Sequence, residues 1–248
     1  MLKKRVKKTP IKNTLVAMMM VGISGAVLSG AMAAGMGTDD PLLYKVNIDR
    51  LEYRKADGHD PLAWEADAWI GRDLHKFRLK TEGERVDGDV GEFETQFLYS
   101  RAIAPFWDLQ LGWRRDIKPT PNRDWLTVGF EGIAPYRIET DVGLFLGESG
   151  RIGLRLDAEY EYLITQRLVL SPEIEVNFHG KNDAEVGIGS NLSDLEFGLS
   201  LGYEIRREFA PYIGVNWERK FGKTADFARD EGEDSNDVQI VTGIRAWF

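Results

Sequence analysis

The chain has 248 residues, 43% of them hydrophobic, with 40 acidic against 32 basic side chains and no cysteine. That excludes a disulfide-stapled scaffold. A formal charge of −8 opposes the phosphate backbone of nucleic acid, so no nucleic-acid partner is expected.

Residues 1–33 read as a secretory signal peptide. Lys3, Lys4, Arg5, Lys7, Lys8 and Lys12 form a basic start, an apolar run covers 15–28, and Ala31-Met32-Ala33 gives a small-x-small cleavage pattern. The run is too short for a membrane anchor, which needs about 20 apolar residues. Taking away its six basic residues leaves 26 against 40 acidic ones, and five of the six methionines leave with it. Residues 34–42 form a short N-terminal segment, and 43–248 form one further domain with no Pro/Gly/Ser-rich linker inside it.

From residue 43 onward the signal is alternation, the period of a β-strand. Strands are predicted at 43–54, 62–70, 74–84, 92–103, 106–116, 125–133 and 137–146. The clearest follows at 151–162, where Ile152, Leu154, Leu156, Ala158, Tyr160 and Tyr162 take one face and Arg155, Asp157, Glu159 and Glu161 the other. At 168–179 Leu168, Leu170, Ile174, Val176 and Phe178 oppose Glu173, Glu175, Asn177 and His179, and 195–205 repeats the pattern. Strands at 211–222 and 237–248 complete twelve, most of them near the ~9–11 residues that a tilted transmembrane strand needs.

The connections alternate between short turns and longer polar links, as in outer-membrane barrels. Val238, Ile240, Thr242, Ile244, Ala246 and Phe248 alternate up to the terminal phenylalanine, and Trp64, Trp107, Trp125, Tyr136, Tyr212 and Trp247 lie near strand ends, where aromatic girdles are expected. Hydrocarbon offers backbone groups no water, so strands cross it only as a closed ring. The expected fold is therefore all-β: a transmembrane antiparallel up-and-down β-barrel of about twelve strands in the bacterial outer membrane, with lipid outside and charged faces turned into the lumen. A soluble sandwich or lipocalin-like barrel, with its apolar faces inward, is the alternative.

Several words in this chain have a family character. They include Trp69-Ile70-Gly71, Lys80-Thr81-Glu82-Gly83-Glu84, Leu98-Tyr99-Ser100-Arg101-Ala102-Ile103, Gly132-Ile133-Ala134-Pro135-Tyr136, Leu163-Ile164-Thr165-Gln166-Arg167-Leu168, Arg207-Glu208-Phe209-Ala210-Pro211-Tyr212 and the final Trp247-Phe248. By their order and spacing the chain resembles the copper resistance protein B family across nearly all of 43–248. The resemblance implies an outer-membrane protein that binds copper and serves copper homeostasis, working beside a periplasmic multicopper oxidase. Family members often carry a Met/His/Asp-rich segment ahead of the barrel, whereas 34–42 offers only Met36, Asp39 and Asp40. Copper(I) prefers thiolate and thioether ligands, so tight copper(I) binding is not expected.

Copper(II) accepts imidazole and carboxylate. His179 continues the polar face of Glu175 and lies near Asp183, which makes these three candidate copper ligands of a weak lumenal site; a plain hydrogen-bonded lumenal histidine is the alternative. His59, between Asp57 and Asp60 in the first external loop, is a second candidate, although Gly58 marks an ordinary turn. His75 shares a face with Phe77 and Leu79 and reads as an interface residue. The lumenal carboxylates, among them Asp157, Glu159, Glu161 and Glu173, are opposed by Lys76, Arg78, Lys80, Arg114, Arg137, Arg155, Arg206, Lys220 and Arg245. They read as a cation-attracting path or as an ion-pair network filling the lumen, and the two can hold at different depths. No enzyme is expected: Ser100, Ser171 and Ser200 fit the lumenal face, and His179 could meet one of them only by accident of folding. The acidic stretch 223–236 reads as a solvated external loop or a hard-cation site. The expected function is copper tolerance through weak copper binding or copper passage. A general cation-selective pore without metal specificity is the alternative, and a structural barrel that needs a partner protein comes third.

Overall fold

The computed structural model describes residues 40–55, 60–86 and 88–248. The expected leader, most of the 34–42 segment and the candidate ligand His59 lie outside the described residues.

The alternating segments form β1 (Leu43–Lys55), β2 (Leu62–Arg72), β3 (His75–Val86), β4 (Asp89–Ala104), β5 (Trp107–Lys118), β6 (Arg123–Ala134), β7 (Ile138–Gly147) and β8 (Arg151–Tyr160). They continue with β9 (Tyr162–Leu163), β10 (Leu168–His179), β11 (Asn191–Tyr203), β12 (Phe209–Lys220) and β13 (Asn236–Trp247). β8 and β9 pair along the same edge of β10 with Glu161 between them, so the thirteen ribbons make twelve staves. Each stave pairs antiparallel with its sequence neighbours, and β13 returns to β1 through Asn47 opposite Trp247. Val46 and Phe248 exchange backbone hydrogen bonds of 3.0 and 2.8 Å at this seam. The ring is closed and leaves no open sheet edge.

Which face looks inward is settled by burial. Phe77 is 67% exposed, Ile240 63% and Ile213 60%, while Ser100, Ser193, Gln110 and Thr127 are at most 2% exposed. A water-soluble barrel would reverse that order. The aliphatic faces therefore look outward, as lipid requires, and the polar faces enclose the interior. The turns at 73–74, 105–106, 135–137, 164–167 and 204–208 gather at one end, hereafter the turn end. The described parts of the links, 60–61, 88, 119–122, 148–150, 180–190 and 221–235, gather at the other, the loop end. Outer-membrane barrels keep short turns in the periplasm and longer loops outside.

Three expectations need correction. Trp125 and Tyr212 are not girdle residues: both are 5% exposed, and they donate inward to Asp116 Oδ2 at 2.7 Å and Glu52 Oε2 at 2.8 Å. A polar handle on an aromatic ring needs a partner, and these two find carboxylates in the lumen. The stretch 223–236 is not simply a loop, because α1 (Gly222–Glu231) occupies most of it. Thr224, Ala225 and Ala228 form its buried stripe, Asp226 pairs with Lys223 and Arg229, each at 3.0 Å, and Gly232 ends it with φ +87°. Arg137 and Arg206 do not face the lumen; they lie exposed in turn-end connections, where Glu161 is exposed too.

Candidate functional site

β1 carries a break in parity that shapes the interior. Tyr44, Val46 and Ile48 alternate outward, a bulge falls between Ile48 and Leu51, and Leu51 and Tyr53 resume the outward face. The extra residue sends both Asp49 and Arg50 to the lumen, where they line its central cavity. From there Arg50 reaches Glu173 at 2.5 Å, Glu196 at 3.4 Å and Glu65 at 3.7 Å.

Other basic residues throw similar chords across the interior. Arg155 on β8 meets Glu82 on β3 at 2.9 Å and Glu94 on β4 at 3.0 Å. Lys80 on β3 meets Asp141 on β7 at 2.5 Å, and Arg78 and Lys80 both engage Glu131 on β6. Arg245 holds Glu159 at 2.6 Å, and Arg54 holds Glu52 at 2.7 Å and Glu196 at 3.2 Å. Multiple pairing of this kind is what allows charges to be withdrawn from bulk water.

The chords do not fill the lumen. A central cavity of about 370 Å³ lies among them, lined by twelve carboxylates and five cationic side chains. Its carboxylates include Asp157, Glu159, Glu173 and Glu175, and no histidine or sulfur side chain lines it. Among the described residues Asp157 has neither an ion pair nor a side-chain hydrogen bond, and its Oδ2 is buried without a partner.

The candidate copper ligands are not brought to one point. His179 ends β10 with Nδ1 2.6 Å from Ser193 Oγ. Glu175, two turns of the pleat away, accepts from Asn177 Nδ2 at 2.7 Å and pairs with Arg155 Nε at 3.3 Å. Asp183 sits in the 180–190 link, where Arg123 grips it with Nε at 2.8 Å and Nη2 at 3.0 Å, and Arg151 Nε stands 2.7 Å away. The hydrogen bond from Arg123, backed by the charges of both arginines, holds the Asp183 carboxyl below the usual carboxylate range. Asp183 serves as a clasp that ties the link to the starts of β6 and β8. The link also meets α1: Gly189 N donates to Thr224 Oγ1 at 2.9 Å, and a Cβ on Gly189 would fall 2.4 Å from the Thr224 nitrogen.

No grouping of three His, Cys, Asp or Glu side chains placed to hold one metal occurs among the described residues. The donors present do not fit a preformed copper chelate. What they form is an acidic, oxygen-lined interior.

A family model described as "Copper resistance protein B precursor (CopB)" matches residues 42–248. Copper resistance protein B of Escherichia coli is 44% identical over 210 residues, which cover 85% of this chain and 71% of that protein. The copper resistance protein B homolog of Pseudomonas syringae pv. tomato is 44% identical over 200 residues, 81% of this chain and 68% of that one. Among solved structures the NanC porin superposes with a TM-score of 0.55 at 13% identity, covering 82% of this chain and 99% of its own. At that identity the likeness speaks for the barrel fold alone.

Proposed function

Because the chain belongs to the copper resistance protein B family, we propose that it promotes copper tolerance by drawing copper ions into its acidic lumen and passing them across the outer membrane, binding them only weakly on the way. The observation that carries this reading is the central cavity, with twelve carboxylates against five cations. Carboxylates facing a confined space with low-dielectric walls focus a negative potential and raise the local concentration of cations. Conduction also requires that no station hold the ion too tightly, and the lack of a three-ligand cluster among the described residues suits that requirement.

The reading contains no catalytic step. Ser193 is the only serine hydrogen-bonded to a histidine among the described residues, and at 1% exposure it is closed to a substrate. A periplasmic multicopper oxidase is the partner this reading assigns to the turn end. A second reading, a small cation pore with no preference among metals, is favoured by the same lack of a chelating cluster.

A deletion strain decides between the two. Copper tolerance should fall on deletion and return with the gene but not with an unrelated porin of similar bore. Rescue by the unrelated porin would overturn the copper reading and leave the general pore.

A further inference from the structure

Strand register places eight carboxylates in one continuous cross-strand row. Asp108 on β5 stands opposite Glu131 on β6, Glu131 opposite Asp141 on β7, and Asp141 opposite Asp157 on β8. Asp157 stands opposite Glu175 on β10, Glu175 opposite Glu196 on β11, Glu196 opposite Glu218 on β12, and Glu218 opposite Asp237 on β13. Asp108 is the second residue of β5, next to the turn end, and Asp237 is the second residue of β13, next to the loop end. Barrel strands tilt, so a row that follows the hydrogen bonds climbs as it goes round. This one leads from one mouth to the other.

Like charges directly opposite on neighbouring strands are destabilising, and most steps are compensated. Lys76 serves Asp108 at 2.9 Å, Lys80 serves Glu131 and Asp141, Arg155 serves Glu175, and Arg54 serves Glu196. Lys220 stands 4.0 Å from Glu218, and Gln239 donates to Asp237 at 2.9 Å. Asp157, in the middle of the row, is the step with no such partner among the described residues.

A second observation falls in the same place. Three buried oxygens without hydrogen-bond partners line the central cavity: Asp157 Oδ2, Thr127 Oγ1 and Asp67 Oδ2, the last with Arg78 Nε 3.8 Å away. Asp67 is 8% exposed and Thr127 2% exposed. Oxygens so deeply buried are ordinarily matched by water or an ion. Every polar side chain on this wall that can give an electron pair does so through oxygen, which suits hard or borderline divalent ions and not copper(I). Beyond residue 33 the chain's one sulfur side chain is Met36.

We infer that the row is a stepped path for hydrated divalent cations with Asp157 as its central resting station, and that copper travels along it as copper(II) and not as copper(I). This rests on the reading that copper crosses the barrel. It differs from a chelating site in that the ion keeps most of its water and is held through it by Asp157, Asp141 and Glu175.

The test uses the full chain in liposomes that enclose a dye quenched by copper, with heat-modifiable gel migration as the check of folding. Wild type should admit copper(II) faster than copper(I) held reduced under argon. Asp157→Asn should slow copper(II) entry about tenfold, as expected for removing one charge a few ångströms from the ion, and Asp157→Glu should restore most of it. Asp226→Asn, on α1, should change nothing. Copper entry that is equal in wild type and Asp157→Asn, or faster for copper(I), would overturn the inference while leaving copper passage intact. No entry of either ion through wild type would remove the passage reading itself. If Asp157→Asn fails to assemble, the wild-type comparison of the two oxidation states decides alone.

Discussion

Arg50 on β1 holds the Glu173 carboxylate on β10 at 2.5 Å, four staves away round the wall. The contact exists because the bulge at Asp49 and Arg50 turns a residue that strict alternation would give to lipid into the lumen. Removing Arg50 would leave Glu173, Glu196 and Glu65 facing one another without their shared cation. Arg50→Gln is expected to destabilise the barrel by about 3–5 kcal/mol, the usual cost of breaking a buried ion cluster on one side. Urea unfolding in detergent micelles measures it, and an unchanged midpoint would mean that the network carries no strain-bearing load.

Asp183 gives a pH prediction with a definite sign. Its folded value lies below the ordinary 3.8, chiefly because Arg123 hydrogen-bonds to the charged form. A depressed carboxyl contributes its stabilisation above the ordinary value and loses it as pH falls through the folded one. The 180–190 link should therefore resist proteolysis at neutral pH and become easier to cut as the medium is acidified below 3.8. Asp183→Asn should be cut readily even at neutral pH; equal resistance of variant and wild type would show that the clasp does not hold the link.

The two classes of tryptophan should separate by quencher. Trp125 is enclosed and hydrogen-bonded to Asp116, while Trp113 is 39% exposed on the outer surface, stacked on Phe97. Brominated lipid should quench the emission lost in Trp113→Phe and leave untouched the emission lost in Trp125→Phe. The reverse result would mean that the inward placement of Trp125 is wrong.

On the lipid face, Ile240→Arg should cost about 2–4 kcal/mol, the penalty for a cation near mid-membrane on a barrel exterior. Thr127→Val removes an inward hydroxyl that the inference above matches with water or an ion, and should cost about 1 kcal/mol. Both are read from the same unfolding titration, and a neutral Thr127→Val would show that its hydroxyl holds neither water nor an ion.

The histidines should differ towards copper(II). His179 has Nδ1 engaged by Ser193 and leaves Nε2 for a metal, whereas His75 is held by Tyr99 at 2.5 Å on an exposed face. His179→Ala is expected to weaken copper(II) binding by the purified barrel more than His75→Ala does in a calorimetric titration. Superimposable curves for both variants and wild type would remove His179 from the copper-binding reading.

Much of the fold was legible because lipid imposes a strict period of two. β8 and β10 show it without interruption, so alternation alone sets Asp157, Glu159, Glu173 and Glu175 on one face, the face that lines the cavity. Parity failed at β1, where one bulge reverses the faces and hides Arg50. It was overlooked at Trp125 and Tyr212, whose inward direction follows from sharing parity with Thr127 and Glu131 and with Asn216 and Glu218. α1 escaped notice because its buried stripe is only Thr224, Ala225 and Ala228, too small to register as an apolar face. The lumenal row was invisible for a different reason: it depends on register between strands up to 23 residues apart in sequence, such as Glu131 and Asp108. The partnership of Asp183 with Arg123 likewise spans 60 positions.

The pairing of Asn47 with Trp247 makes the first long ribbon wait for the last. While the polymer is still incomplete, both would-be partners expose raw hydrogen-bonding margins, one at each extremity of a growing curved sheet. The ring can snap shut only after nearly all of the chain has been delivered. A nonsense codon within the closing ribbon should accordingly be as damaging to assembly as one placed midway.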